Sequence, residues 1–169
     1  ITLTLDVKNT GDYAGKDVIQ LYGFTPYIKG QIEKSSIQLV AFEKTDLLNP
    51  GETQKDIKLS FNLYDLASYD AYDKNENGHK GYELDKGTYT FKLMNNCHEI
   101  KNMDDYLGNS ISFDLEETIN YSKDPTTENT VENRFTALNS YASTPIDGSS
   151  VNIDQNYLTR DDFNKSYPK

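Results

Sequence analysis

Ile1-Thr2-Leu3-Thr4-Leu5-Asp6-Val7-Lys8 decides the fold class. Apolar and polar residues alternate without a break. Period two is the signature of a strand with one buried face, not of a helix. The pattern recurs down the chain. Residues 17–24 set Val18, Gln20, Tyr22 and Phe24 on one face and Ile19 and Leu21 on the other. Residues 36–45 place Ile37, Leu39, Ala41 and Glu43 opposite Val40 and Phe42. Residues 53–61 alternate through Ile57, Leu59 and Phe61, and residues 88–94 through Tyr89, Phe91 and Leu93. Residues 110–115 read as the last strand, with Ile111, Phe113 and Leu115. Residues 82–84 read as a brief pairing segment, and residues 62–69 as a less regular one.

The gaps between these runs carry turn chemistry. Asn9-Thr10-Gly11-Asp12 and Asn49-Pro50-Gly51-Glu52 combine a proline that presets φ, glycines that accept positive φ, and side chains that bond their own backbone. Short strands with turn signals every 8–12 residues, and no amphipathic helix, predict an all-β protein. The expected architecture is an antiparallel β-sandwich of immunoglobulin-like type, with a barrel as the rival. No Trp and a single cysteine, Cys97, exclude an antibody-type domain but not a fibronectin-like one.

Composition narrows the function. The 169 residues carry 17 Lys+Arg against 27 Asp+Glu, a net charge of −10. So acidic a chain lacks the basic footprint of a general nucleic-acid binder, or of a domain docking on anionic lipid. No apolar run reaches the roughly 18 residues needed to cross a bilayer. The compartment is not legible.

The chain begins inside a strand pattern and ends on polar residues, which reads as a piece of a longer protein. From Glu116 onward only 15 of 54 residues are apolar, against 36% overall. The expected organisation is therefore a sandwich over 1–116, its first strand missing, and an extended, mostly irregular connector over 117–169. Within the latter, Phe135, Leu138, Tyr141, Ile153, Tyr157, Leu158 and Phe163 are spaced like surface anchors.

Candidate chemistry is sparse. Cys97 and His98 are adjacent, but neighbours near a strand end point apart, which argues against a nucleophile–base pair. Two histidines and one cysteine do not furnish a structural zinc site. Asp73-Lys-Asn75-Glu-Asn77-Gly78 matches the start of a calcium loop, yet the twelfth position is Leu84, and Glu83 falls one short. Asp73, Asn75 and Asn77 are thus a weak metal candidate beside the simpler reading of a polar hairpin loop. Asp65, Asp70 and Asp73 read as solvated turn acids rather than a glycosidase pair. Tyr69, Tyr72 and Tyr82, with Tyr64, surround the same loop. They are candidate sugar-stacking rings, or the packing of a Trp-free sandwich. The sequons at Asn120 and Asn164 count only in a eukaryotic secretory context, and the composition looks bacterial. No catalytic residue and no cofactor are expected.

Larger motifs carry a resemblance. They run from Val7-Lys-Asn-Thr-Gly11-Asp12 and Ala14-Gly15-Lys16-Asp-Val18-Ile-Gln20-Leu-Tyr22 to Pro26-Tyr27 and Ile32-Glu-Lys34. Gln38-Leu-Val-Ala-Phe42-Glu-Lys44, Leu48-Asn-Pro50-Gly51-Glu52-Thr53 and Asp65-Leu-Ala-Ser-Tyr69-Asp70 follow. Gly81-Tyr82-Glu-Leu84-Asp85-Lys-Gly87-Thr-Tyr89 closes the series. In order and spacing these resemble the fibronectin type III-like domain of family 3 glycoside hydrolases, the β-glucosidase group. The loop over 72–80 is longer than in the shortest members, and Tyr82 stands where many carry Trp. Val131-Glu-Asn133-Arg134-Phe135 and Tyr157-Leu158-Thr-Arg160-Asp-Asp-Phe163 resemble the connector of the permuted members, in which this domain precedes the barrel.

The resemblance implies a non-catalytic domain bracing the catalytic barrel and α/β sandwich of the same parent chain. It implies a parent that is a retaining β-glycosidase, whose nucleophile and acid/base lie outside these residues. The alternative is an autonomous carbohydrate-binding module using the tyrosines of 64–82.

Overall fold

The computed structural model describes residues 1–101, 110–133 and 160. It is an antiparallel β structure. The strands are β1 (Thr2–Lys8), β2 (Val18–Phe24), β3 (Gln38–Lys44), β4 (Thr53–Ser60), β5 (Ser68–Asp70), β6 (Gly81–Leu84), β7 (Gly87–Asn96), β8 (Glu99–Ile100), β9 (Ile111–Leu115) and β10 (Ile119–Tyr121). A 3-10 turn over Leu63–Leu66 precedes β5. It starts from Asn62, whose side chain accepts the Tyr64 N–H, while Asp65 reaches back to the Asn62 N–H at 3.1 Å.

The chain divides into two compact units. The first comprises residues 1–26, 35–67 and 85–118 and is the sandwich. One of its sheets pairs β1 with β4; the other has the order β3-β2-β7-β8, with β9 also on β7. Its core residues include Ile19, Leu21, Ile57, Leu59, Phe61, Leu66, Tyr89, Phe91 and Leu93, all buried. Phe91 meets Phe61 at 5.1 Å between ring centroids, and Phe113 stacks on Tyr89 at 5.3 Å. Such ring contacts carry much of a core that has no Trp. Lys101 and Asp17 form an ion pair at the exposed surface.

The second unit comprises residues 27–34, 68–84 and 119–169. It holds the three-stranded sheet β10-β6-β5. Residues 110–115 are therefore not the last strand: Ile119, Asn120 and Tyr121 pair with Leu84, Glu83 and Tyr82. A three-residue run is too short for alternation to be read in sequence. Beyond it, Asp124 caps a turn by accepting the N–H groups of Thr126 and Thr127, and Lys123 bridges to Thr130. The predicted anchors Phe135, Leu138, Tyr141, Ile153, Tyr157, Leu158 and Phe163 lie outside the described residues. Arg160, from the connector motif, stands over the Tyr27 ring at 4.6 Å, and its N–H donates to Glu33.

Bulges interrupt the strands at two places, and the first corrects a predicted face. In β3, Ala41 pairs with Leu21 and Leu39 with Tyr22, so Val40 is the extra residue. Leu39 and Ala41 consequently do not share a face, and Leu39 is exposed with Phe42. Val40 instead closes on Gly23, alongside Leu66 and Phe91, where an added Cβ would meet all three at 3.1–3.3 Å. In β4, Leu5 pairs with Ile57 but Val7 with Gln54, so Asp6 faces both Lys55 and Asp56. Asp56 takes φ 57°, and its N–H donates to the Asp6 carboxylate at 3.0 Å. The jog keeps Lys55 off the core face that strict alternation from Ile57 would give it.

The start of β7 carries a further device. Tyr89 is 1% exposed, and its hydroxyl donates to the Asp85 carbonyl at 2.9 Å. This is the tyrosine corner of immunoglobulin-like sandwiches. Gly87 between them adopts φ +133°, and a Cβ there would sit 3.0 Å from Pro26. Tyr89→Phe keeps the ring and removes the bond, so a loss of about 1–2 kcal/mol is expected by urea unfolding. A loss below a few tenths would mean the corner is ornamental.

Candidate functional site

The loop between β5 and β6 gathers the polar residues that the sequence singled out. Asp70, at the end of β5, is 2% exposed. Its carboxylate accepts the Tyr72 N–H at 3.0 Å and the Lys74 N–H at 2.6 Å, which turns the chain away from the strand. Asp73 and Glu76 then adopt φ 57° and Gly78 φ +83°. Asp73 accepts the Gly78 N–H on both oxygens at 3.1 Å.

Glu83 on β6 closes the loop from below. It is 1% exposed, yet lies in the strand between Tyr82 and Leu84. Its two oxygens accept the side-chain amides of Asn75 and Asn77, each at 2.6 Å. Burying a carboxylate is costly unless donors replace its water, and two amide donors do so here. The amide oxygens are engaged as well: Asn77 accepts the His79 N–H at 2.7 Å, and Asn75 accepts the Asn77 N–H at 3.3 Å. The weak metal candidate Asp73, Asn75 and Asn77 is thus one cluster in space, with these oxygens bonded to backbone N–H groups. Among the described residues no three His, Cys, Asp or Glu group to hold a metal ion.

Tyr69 and Tyr82 are cross-strand partners, with ring centroids 5.0 Å apart in an edge-to-face arrangement. The Tyr69 hydroxyl donates to Asn133 at 3.2 Å, and the Asn133 amide donates to the Ala71 carbonyl at 2.9 Å. Tyr69, Tyr72 and Tyr82 are each half-buried. Tyr64 belongs to the other unit. Burial first, and the neighbouring Tyr82 second, raise the Tyr69 pKa above 10.0; burial alone raises that of Tyr121. A raised folded value means the neutral phenol is favoured in the fold. Stability from these groups is therefore complete below pH about 10 and falls as pH rises through the folded values. Tyrosinate absorbance should show a late-titrating fraction that shrinks in Tyr69→Phe. An unchanged curve would remove the effect from Tyr69.

The remaining candidates stand apart. Cys97 is exposed in the turn between β7 and β8, where the His98 N–H donates to Asn96 at 2.9 Å. His79 lies over Gly81, its Nε2 at 2.8 Å from where a Cβ would be. Asp65, Asp70 and Asp73 each accept backbone N–H groups. Sequence reading missed Glu83 and Asp70 as the hubs of the loop. An acid inside a strand-like Gly-Tyr-Glu-Leu run was the available signal for Glu83.

A family model described as "Fibronectin type III-like domain" matches residues 17–96. Beta-glucosidase A of Butyrivibrio fibrisolvens is 34% identical over 104 residues, which are 62% of this chain and 12% of that protein. A β-glucosidase structure from Paenibacillus barengoltzii superposes with a TM-score of 0.57 at 35% identity, covering 70% of this chain and 12% of that one. Beta-glucosidase 3B from Thermotoga neapolitana gives 0.54 at 32% identity, covering 71% and 14%. The chain spans about an eighth of the length of these relatives. The tyrosine corner and the two-sheet core agree with the match, and over residues 17–96 the chain is a fibronectin type III-like domain shared with these β-glucosidases.

Proposed function

We propose that the chain is a non-catalytic structural domain of a larger bacterial β-glucosidase-type enzyme. In this reading residues 1–116 make up the β domain, the sandwich unit together with the β5–β6 loop, and residues 117–169, which begin with β10, lead toward a catalytic barrel. The domain braces that barrel and its companion α/β domain, and the parent is a retaining β-glycosidase. The carrying observation is the share of length: the matched stretch is only about an eighth of each relative. The loop's chemistry supports the reading, because the carboxylates of Asp70, Asp73 and Glu83 are spent on N–H donors of the loop itself. The test assays this chain and its full-length parent on aryl β-glycosides, with glucan oligosaccharides titrated against the chain by NMR. Turnover by the parent alone, with no saturable shift in the chain, is expected. Turnover by the chain would overturn the proposal, and saturable shifts at Tyr69, Tyr72 and Tyr82 would make it a sugar-binding module. No helix among the described residues is long and apolar enough to cross a membrane.

A further inference from the structure

Asn77-Gly78 is the chain's only Asn-Gly dipeptide. Such a pair is chemically labile, because glycine has no side chain to shield its nitrogen from the neighbouring amide carbon. We propose that Asn77-Gly78 is a site of self-modification by deamidation, and that the buried Glu83 carboxylate latches it in the native loop. In the reaction the Gly78 nitrogen gives its proton to solvent and bonds to Asn77 Cγ. The Cγ–Nδ2 bond breaks, ammonia leaves, and a succinimide ring remains. Water then opens the ring at either carbonyl, leaving an aspartyl or isoaspartyl linkage. No oxidant, metal or enzyme is required.

The native loop opposes each part of that step. The leaving nitrogen, Asn77 Nδ2, is held at 2.6 Å by Glu83, and Asn77 Oδ1 accepts the His79 N–H at 2.7 Å. The attacking nitrogen of Gly78 donates to both Asp73 oxygens at 3.1 Å. The side chain must abandon Glu83, and Gly78 must leave Asp73, before the two atoms can meet. Reaction therefore proceeds through local opening of the loop. Its product cannot close again. A carboxylate then stands where the amide did, facing the oxygen of a Glu83 that is 1% exposed, and the amide hydrogen that bonded it is gone. The modification acts as a one-way release of the loop, independent of the proposed function of the domain.

The experiment incubates the unaltered chain at mildly alkaline pH and follows the amide-to-acid mass change by peptide mapping. A synthetic peptide of residues 71–80 and the chain in urea serve as references. The native chain should react at least about tenfold more slowly than the peptide, while in urea the two rates converge. Equal native and peptide rates, or another asparagine converting first in urea, would overturn the proposal. The second measurement is amide exchange over residues 74–79. Asn77→Asp should speed it, and adding Glu83→Gln should slow it again, because the glutamine amide can donate to the new carboxylate. Unchanged exchange in Asn77→Asp, or no recovery in the double variant, would remove the latch.

Discussion

Replacing Phe91 with alanine is expected to lower the stability of the sandwich unit by about 3–5 kcal/mol, the usual cost of removing a buried aromatic ring. Phe91 is 5% exposed on β7, the strand that pairs with β2 on one side and β9 on the other. Its ring touches Phe61 at 5.1 Å and Phe113 at 6.0 Å, and it packs against the backbone side of Gly23. The void would open where both sheets contribute side chains, so neither can relax into it without breaking strand pairing. Urea unfolding followed by far-ultraviolet circular dichroism reads the loss as a fall in midpoint. A change under about 1 kcal/mol would mean that the core is not centred on this ring.

Glu83→Ala carries the second large effect, in the other unit. It removes both acceptors at 2.6 Å and leaves the amides of Asn75 and Asn77 without them. Hydrogen bonds to a charged group are worth about 1.5–3 kcal/mol each, so roughly 3 kcal/mol is expected for the pair after the desolvation of the carboxylate is set against them. The loss should be local. Amide exchange over residues 71–80 should quicken by about a hundredfold, while Tyr89 and Phe91 keep their protection. Slow exchange in the variant loop would show that the positive-φ turns at Asp73, Glu76 and Gly78 hold it unaided.

Both effects bear on what a reader of the sequence could foresee. Alternation alone places Phe91 on a core face, because its strand is long, regular and flanked by turn chemistry. Alternation sets Leu39 on the face of Ala41, but a one-residue bulge at Val40 puts the two on opposite faces, and nothing in the letters of a strand announces a bulge. In the sequence Glu83 stands one position short of the place a calcium ligand would take. Its part depends on Asn75 and Asn77 turning inward, which is a matter of loop closure and not of spacing along the chain. The tyrosine corner lay in view as Asp85-Lys-Gly87-Thr-Tyr89, but its hydrogen bond needs Gly87 at positive φ to bring the Asp85 carbonyl under the ring.

By itself the sequence determined the all-β class, the main strands and turns and the likeness to the fibronectin type III-like domain. These follow from side-chain period and turn residues, which act over a few neighbours and so are written locally. Only the tertiary structure decided which way Leu39 and Val40 face, that β10 joins β5 and β6, and that Glu83 is the hub of the loop. Those outcomes depend on pairing register and on how a buried charge finds its donors, and both are settled between residues that the chain brings together only when it folds.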